Sequence, residues 1–422
     1  MPRWWAKKAD EGDDELPSAG GRDQVTIAGG RGIVVGEHNV IYQYFTKPAH
    51  AAVSRSHINF SALIADKTQG FVGREFIVDS FDQFLEREES GYFLVLGEPG
   101  IGKTALAAHL VQTRGYPHHF NVAQQNVRTA RQFLANGCAQ LIARYDLPYE
   151  RVPDDATGDS TFLVECLEQA VARADGERVV LVVDSLDESD VRQLPPRVNA
   201  LFLPPSLPGG AYVLATSRPL ENLRLRVERE STVHLDAQSN ENLADIATFL
   251  RRSWEESEEL RARAAEWGLS RDELVLWLTR KSEGNFVYLH YVLPAIEAGR
   301  FRDGGIGQLP TGLLAYYREH WDLMQIAEPV IFDEVYAPIV CLLAVAREPL
   351  SADHLGRWTS RSAGEVLNAL GQWREFLDEV PSGDGVLYRV YHSSFQDFLA
   401  TKVDLKRYDA MIADYYLRLV QP

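Results

Sequence analysis

The sequence is poor in cysteine and in basic residues, and it has no long apolar run. Cysteine occurs only at Cys138, Cys166 and Cys341. Three scattered thiols without metal-ligand spacing argue against a zinc site and point to a reducing compartment. Lys and Arg number 43 against 60 Asp and Glu, a formal net charge of −17. A field of that sign repels nucleic acid and anionic membranes unless a basic patch overrides it, and no patch of size is visible, so neither is expected as a partner. The most apolar later segment, 337–346, falls well short of the roughly 20 residues needed to span a bilayer. Met1 to Lys8 run into acidic residues instead of an apolar core, so no secretory signal is expected and the location expected is the cytoplasm. No internal repeat of solenoid period is found.

What is present is the material of a nucleotide site. Residues 97 to 104 read Gly97-Glu98-Pro99-Gly100-Ile101-Gly102-Lys103-Thr104, between an apolar strand-like run, Tyr92 to Leu96, and a helix-forming run, Thr104 to Gln112. In that context the N–H groups of the loop and of the helix start, through Ala105, converge on an anion. The glycines let the backbone approach phosphate closely. Lys103 is expected to reach the β and γ phosphates of ATP or ADP, and the Thr104 hydroxyl to ligate Mg²⁺. A Gly-rich turn matching by chance is the bland alternative, and the strand–loop–helix setting weighs against it.

A second element reads Val179-Val180-Leu181-Val182-Val183-Asp184-Ser185-Leu186-Asp187-Glu188. Five consecutive apolar residues predict a strand buried on both faces, whose C-terminal end delivers acids beside the phosphate loop. Asp184 is placed to hold Mg²⁺, and Asp187 or Glu188 to orient or deprotonate the attacking water. A third strand, Tyr212 to Thr216, ends in Ser217-Arg218-Pro219, where a guanidinium fork suits a γ-phosphate. A surface arginine opening a loop is its alternative reading.

At 422 residues the chain has length for about three domains at roughly 150 residues each. Residues 1–24 are acidic and expected to be disordered. Residues 25–46 have high β-propensity, little charge and no proline, and 47–69 are expected to form a linker helix. Strands alternating with helices over 70–235 predict an α/β P-loop NTPase with a parallel sheet. An all-α domain is expected over 236–310, with amphipathic runs at 240–252, 256–267, 271–282 and 286–298. Over 311–422, two strand-like runs at 376–380 and 386–390 flank Ser382-Gly383-Asp384-Gly385, predicting a hairpin among short helices, a winged helix, followed by a C-terminal helix.

Phe71-Val72-Gly73-Arg74-Glu75, the phosphate loop, Val183 to Glu188, Ala215 to Pro219, Ser282-Glu283-Gly284-Asn285-Phe286-Val287-Tyr288 and Tyr391-His392-Ser393-Ser394-Phe395-Gln396-Asp397-Phe398-Leu399 together resemble the NACHT-type branch of the STAND signal-transduction ATPases, over residues 70 to 420. The resemblance implies a switch with slow ATP hydrolysis as its reset: ADP locks the three domains into a closed monomer, and exchange for ATP permits assembly into a homo-oligomer. It implies Val72 and Arg74 near the adenine, Arg218 on the γ-phosphate, and His392 on the ADP β-phosphate. His392 also reads as the neighbour of a helix N-cap, and Asn285 and Phe286 read either as core packing or as nucleotide contacts. The same resemblance implies bacterial defence or programmed cell death.

Gly32 to Asn39 and Val40 to Phe45 resemble the RHIM-related amyloid signalling motifs, departing from them at Val34, where glutamine is typical. Stacking of such strips would recruit a separate effector; a hairpin or added edge strand is the other reading. With no effector domain recognised before residue 70 and no repeat sensor after 420, the chain is expected either to be cut from a larger protein or to work with separate sensor and effector partners. Two rival functions are an ATP-dependent winged-helix transcription regulator and a nucleotide-stabilised scaffold that never hydrolyses. Between Ser351 and Lys402 acids outnumber bases, which disfavours the first.

Overall fold

Helix α1 (Ser61–Thr68) and α2 (Glu75–Arg87) lead into β1 (Gly91–Gly97), and the alternation continues through α3 (Lys103–Arg114), β2 (His118–Phe120), α4 (Ala130–Tyr145), α5 (Thr161–Arg173), β3 (Val179–Asp184), β4 (Ala211–Ser217) and β5 (Glu230–Leu235). A computed structural model of the chain describes residues 56–192, 194–219, 223–301, 305–383 and 385–420. The acidic tail 1–24 and the β-prone strip 25–46 lie outside the described residues. The five strands form one parallel sheet in the order β2-β3-β4-β1-β5. Parallel strands need crossover helices, which cover both faces, and the residues here show it. Tyr92 and Leu94 point into a cluster with Phe133 and Leu167 of α4 and α5. Phe93 and Val95 point the other way, to Phe81 and Leu106 of α2 and α3. Strand β3 is split likewise, Val179, Leu181 and Val183 to one side and Val180 and Val182 to the other, and every residue of it is buried. Adjacent strands β3 and β4, flanked by β1, therefore end in register beside the phosphate loop.

Four helices follow: α6 (Asn240–Glu256), α7 (Glu258–Glu266), α8 (Arg271–Lys281) and α9 (Phe286–Glu297). Each starts on a side chain suited to cap it. Ser239, Ser257, Ser270 and Asn285 accept the N–H groups of Asn242, Leu260, Glu273 and Tyr288. Beyond them come α10 (Leu313–Ala327), α11 (Pro329–Ile331), a π-helical turn Phe332–Tyr336, α12 (Ala337–Val345), β6 (Leu350–Ser351), α13 (Ala352–Thr359), α14 (Ala363–Gln372), β7 (Leu377–Ser382), β8 (Gly385–Val390), α15 (Ser393–Lys402) and α16 (Lys406–Val420). The three short strands pair antiparallel in the order β6-β8-β7. Pairing of Ser382 with Gly385 carries β7 and β8 further toward the turn than the apolar runs suggest. One core runs from Ile246 to Tyr408, and aromatic rings build its centre: Tyr291 stacks on Tyr316 and Phe376 on Phe395. No helix among the described residues is long and apolar enough to cross a membrane.

Candidate nucleotide site

The phosphate loop follows directly from β1. Gly100 and Gly102 have φ of +82° and +95°, a region that L side chains avoid. Lys103, buried, donates from Nζ to the carbonyls of Gly97 and Glu98 at 2.6 and 3.0 Å. Burial pushes its ammonium pKa down, opposed by Asp187 and Asp184. The carbonyl of Pro99 accepts Nδ2 of Asn285 at 2.9 Å, that of Gly100 the N–H of Phe286 at 3.0 Å, and that of Ile101 the Nη2 of Arg74 at 2.5 Å. Gly102 closes the first turn of α3 by accepting from Leu106. Every loop carbonyl from Gly97 to Gly102 thus has a donor, which is the condition for presenting the N–H groups to an anion.

Asp184 ends β3, wholly buried. Its Oδ2 accepts the Thr104 hydroxyl at 2.9 Å and the Ser185 hydroxyl at 3.0 Å, and its Oδ1 accepts Thr216 Oγ1 at 2.6 Å. Burial raises its pKa against these hydrogen bonds. Thr104 and Asp184 form a hard oxygen pair beside an anion cradle, and this donor set suits Mg²⁺. Those two residues would hold the ion, which supplies positive charge to the phosphate oxygens. Asn121, just past β2, donates from N and Nδ2 to the Asp184 carbonyl at 3.2 and 2.8 Å.

The two remaining acids occupy different surroundings. Glu188 accepts the Ala123 N–H on Oε2 at 3.1 Å. Burial, reinforced by the charges of Asp187 and Asp184, pushes its pKa up to about 7. Asp187 is engaged by Arg218: the Arg218 N–H donates to Oδ1 at 3.1 Å and Nε pairs with Oδ2 at 3.0 Å.

Arg218 also reaches across to the C-terminal half. Its Nη1 pairs with Asp397 Oδ2 at 2.6 Å and its Nη2 donates to Ser393 Oγ at 3.0 Å, both on α15. His392 is the N-cap of that helix, accepting the Ser394 N–H on Nδ1 at 3.1 Å, so Nε2 carries its proton. Burial first, then the charges of Lys67, Lys103 and Arg218, push its pKa down to about 3, so the ring is neutral. Beside it, Tyr391 stacks on His290 at 4.4 Å and accepts Lys67 Nζ from α1 at 3.3 Å.

Arg74, almost fully buried with φ +72°, lies between the phosphate loop and α6. Its N–H and Nη1 donate to Asp245 Oδ2, both at 3.1 Å, and Nη2 donates to Asn242 Oδ1 at 2.8 Å. Its guanidinium also sits over the Phe286 ring at 5.1 Å. Gly73 precedes it with φ +77°, and a Cβ there would come within 2.2 Å of Asp245 Oδ1. Val72, which precedes Gly73 in the sequence, is half-buried.

Residues 70–210 match the family model described as AAA ATPase domain. That segment is a P-loop ATPase domain. No curated protein matches the chain in sequence. Among solved structures, a STAND protein with a tetratricopeptide repeat sensor from Pyrococcus horikoshii is similar at 15% identity and TM-score 0.43, over 83% of this chain and 46% of that one. This chain therefore spans less than half of that protein's length. Drosophila ORC bound to DNA is similar at 15% identity and TM-score 0.32, over 82% of this chain and 98% of that one. A point mutant of RuvB from Thermotoga maritima follows at 13% identity and TM-score 0.28, over 78% and 95%. ATPases of this kind bind nucleotide, ordinarily with Mg²⁺.

Lys103, Thr104 and Asp184 are in mutual reach around the ATPase domain's loop, and Asp187 and Arg218 pair at the ends of adjacent strands. Asp245, Asn242, Asn121 and Lys67 lie outside the sequence motifs; Thr216 and Ser393 lie within them, but the motifs alone give neither a role. Thr216 and Asn121 lay within reach of strand-end reasoning, whereas Asp245, Asn242 and Lys67 carry no local signal.

Proposed function

We propose that this chain is a nucleotide-controlled switch of the STAND type, in its NACHT branch, with residues 311–422 as a winged helix that locks the ADP-bound form. The carrying observation is Arg218, which divides its guanidinium between Asp187 in the ATPase site and Asp397 and Ser393 on α15. A group suited to a γ-phosphate is thereby spent on a contact between the two halves of the chain. One ligand that competes for Arg218 distinguishes two domain arrangements by differential contacts. Support for the winged helix comes from the β7–β8 hairpin with β6, set beside α13 and α14. In the ADP form His392 offers its Nε2–H to the β-phosphate; in the ATP form Arg218 turns to the γ-phosphate.

Hydrolysis resets the switch. Glu188 takes a proton from water as the water oxygen bonds to the γ-phosphorus and the bond to the β-phosphate oxygen breaks, with Lys103 neutralising the leaving charge. ATP exchange permits homo-oligomerisation, the strip 25–46 recruits a separate effector, and the setting is bacterial antiphage defence or programmed cell death. An unidentified sensor supplies the trigger.

The test is ADP release. Asp397→Ala should speed dissociation of a fluorescent ADP several-fold, because the half-exposed ion pair it removes holds the closed form. Release at the wild-type rate would contradict the lock.

A further inference from the structure

The outer surface of the phosphate loop is gripped by the helices that follow the ATPase domain. Three consecutive carbonyls, Pro99, Gly100 and Ile101, accept from Asn285 Nδ2, the Phe286 N–H and Arg74 Nη2. Asn285 and Phe286 open α9, and Arg74 is itself fixed by Asp245 and Asn242 of α6. The fit at Gly100 is close: a Cβ there would lie 2.5 Å from Asn285 Oδ1 and 2.7 Å from Nδ2.

We infer that Asn285, Phe286 and the Arg74–Asp245 pair are positioning residues for phosphate binding, acting through the loop carbonyls and not through the nucleotide. A carbonyl held outward turns the following peptide N–H inward, so these three bonds orient the N–H groups of Gly100, Ile101 and Gly102 toward the anion. Without them the loop would have to be ordered by the nucleotide itself, and that ordering would subtract from affinity. The coupling is reciprocal: bound nucleotide must tighten the seat of α6 and α9 on the loop to the same extent that the seat tightens nucleotide.

Asn285 separates this role from helix stability. Its Oδ1 caps α9 by accepting the Tyr288 N–H at 3.2 Å, while its Nδ2 alone serves Pro99. Asn285→Asp keeps a capping acceptor and loses the donor, and Asn285→Ser keeps a short cap that does not reach Pro99. This inference rests on the nucleotide reading of the loop, so the wild-type chain is titrated first with fluorescent ADP; failure to bind would overturn that reading and leave this one without a site. If the wild type binds, both variants should bind ADP about tenfold more weakly, the order expected for one lost hydrogen bond to a fixed group. Their melting temperatures without nucleotide should match the wild type's. Unchanged affinity would overturn the inference. So would weakened affinity accompanied by an equal loss of nucleotide-free stability, since the effect would then be that of a damaged helix.

Discussion

At the scale of single residues, the ATPase site separates its carboxylates by environment. Asp184 is buried, which raises its pKa, and three hydroxyl donors oppose that rise. Glu188 receives one backbone N–H and faces two other acids, so burial prevails and its pKa rises to about 7. A general base must be ionised to accept a proton, and a pKa near neutrality suits that work. The ATPase kcat/KM should therefore rise with pH through about 7 and flatten above it. Glu188→Gln should lower turnover by at least about a hundredfold, the scale of a lost acid–base group, and remove that limb while ADP still binds. A pH–rate profile with wild-type shape in the glutamine variant would assign the base to Asp187.

At the scale of elements, the joint between the ATPase domain and α6 is a buried ion pair. The Arg74 side chain is 2% exposed and that of Asp245 11%. Burial pushes the two pKa values toward the neutral forms against their mutual attraction, yet a guanidinium keeps its proton. Asp245→Ala leaves that charge buried without a counter-ion, which costs about 3–5 kcal/mol; the urea midpoint should fall accordingly. The Arg218–Asp397 pair is different, because Asp397 is 54% exposed. Its static worth is about 0–1 kcal/mol, so Asp397→Ala should scarcely move that midpoint. A large fall in Asp397→Ala with a small one in Asp245→Ala would reverse this ranking of the two joints.

The same elements show what was legible in the sequence. Strands β1, β3 and β4 were readable because burial on both faces demands unbroken apolar runs, and the loop because phosphate binding demands glycines at fixed spacing. Helices α6 to α9 announced themselves by periodicity; the serine and asparagine caps that start them carry no apolar signal. Strand β5 offered no such run: Glu230, Thr232 and His234 alternate with Ser231, Val233 and Leu235 on a sheet edge. The two-residue β6 was too short to signal itself. The joints were hidden for another reason. Arg74 and Asp245 are 171 residues apart, Arg218 and Asp397 179, and Lys67 and Tyr391 324. Only the folded topology brings such pairs together.

At the scale of the whole molecule, these contacts divide the chain unevenly. Helix α6 holds the phosphate loop through buried groups and α9 through the half-buried Asn285 and Phe286, whereas α15 meets the ATPase domain through Arg218, with Asp397 partly in water. Lys67 on α1 touches Tyr391, one residue before His392, so a displacement of α15 would also be felt where the N-terminal segment joins the ATPase domain. Under the proposed switch, the seam at Arg218 is the one that would open when a γ-phosphate competes for the guanidinium, and assembly would require that opening. The direct measurement is light scattering of the Asp397→Ala chain, its lock already weakened, in Mg-ADP and in Mg-ATP with bound nucleotide verified. The account predicts a monomer in ADP and a discrete larger assembly in ATP; a monomer in both, with ATP bound, would contradict it.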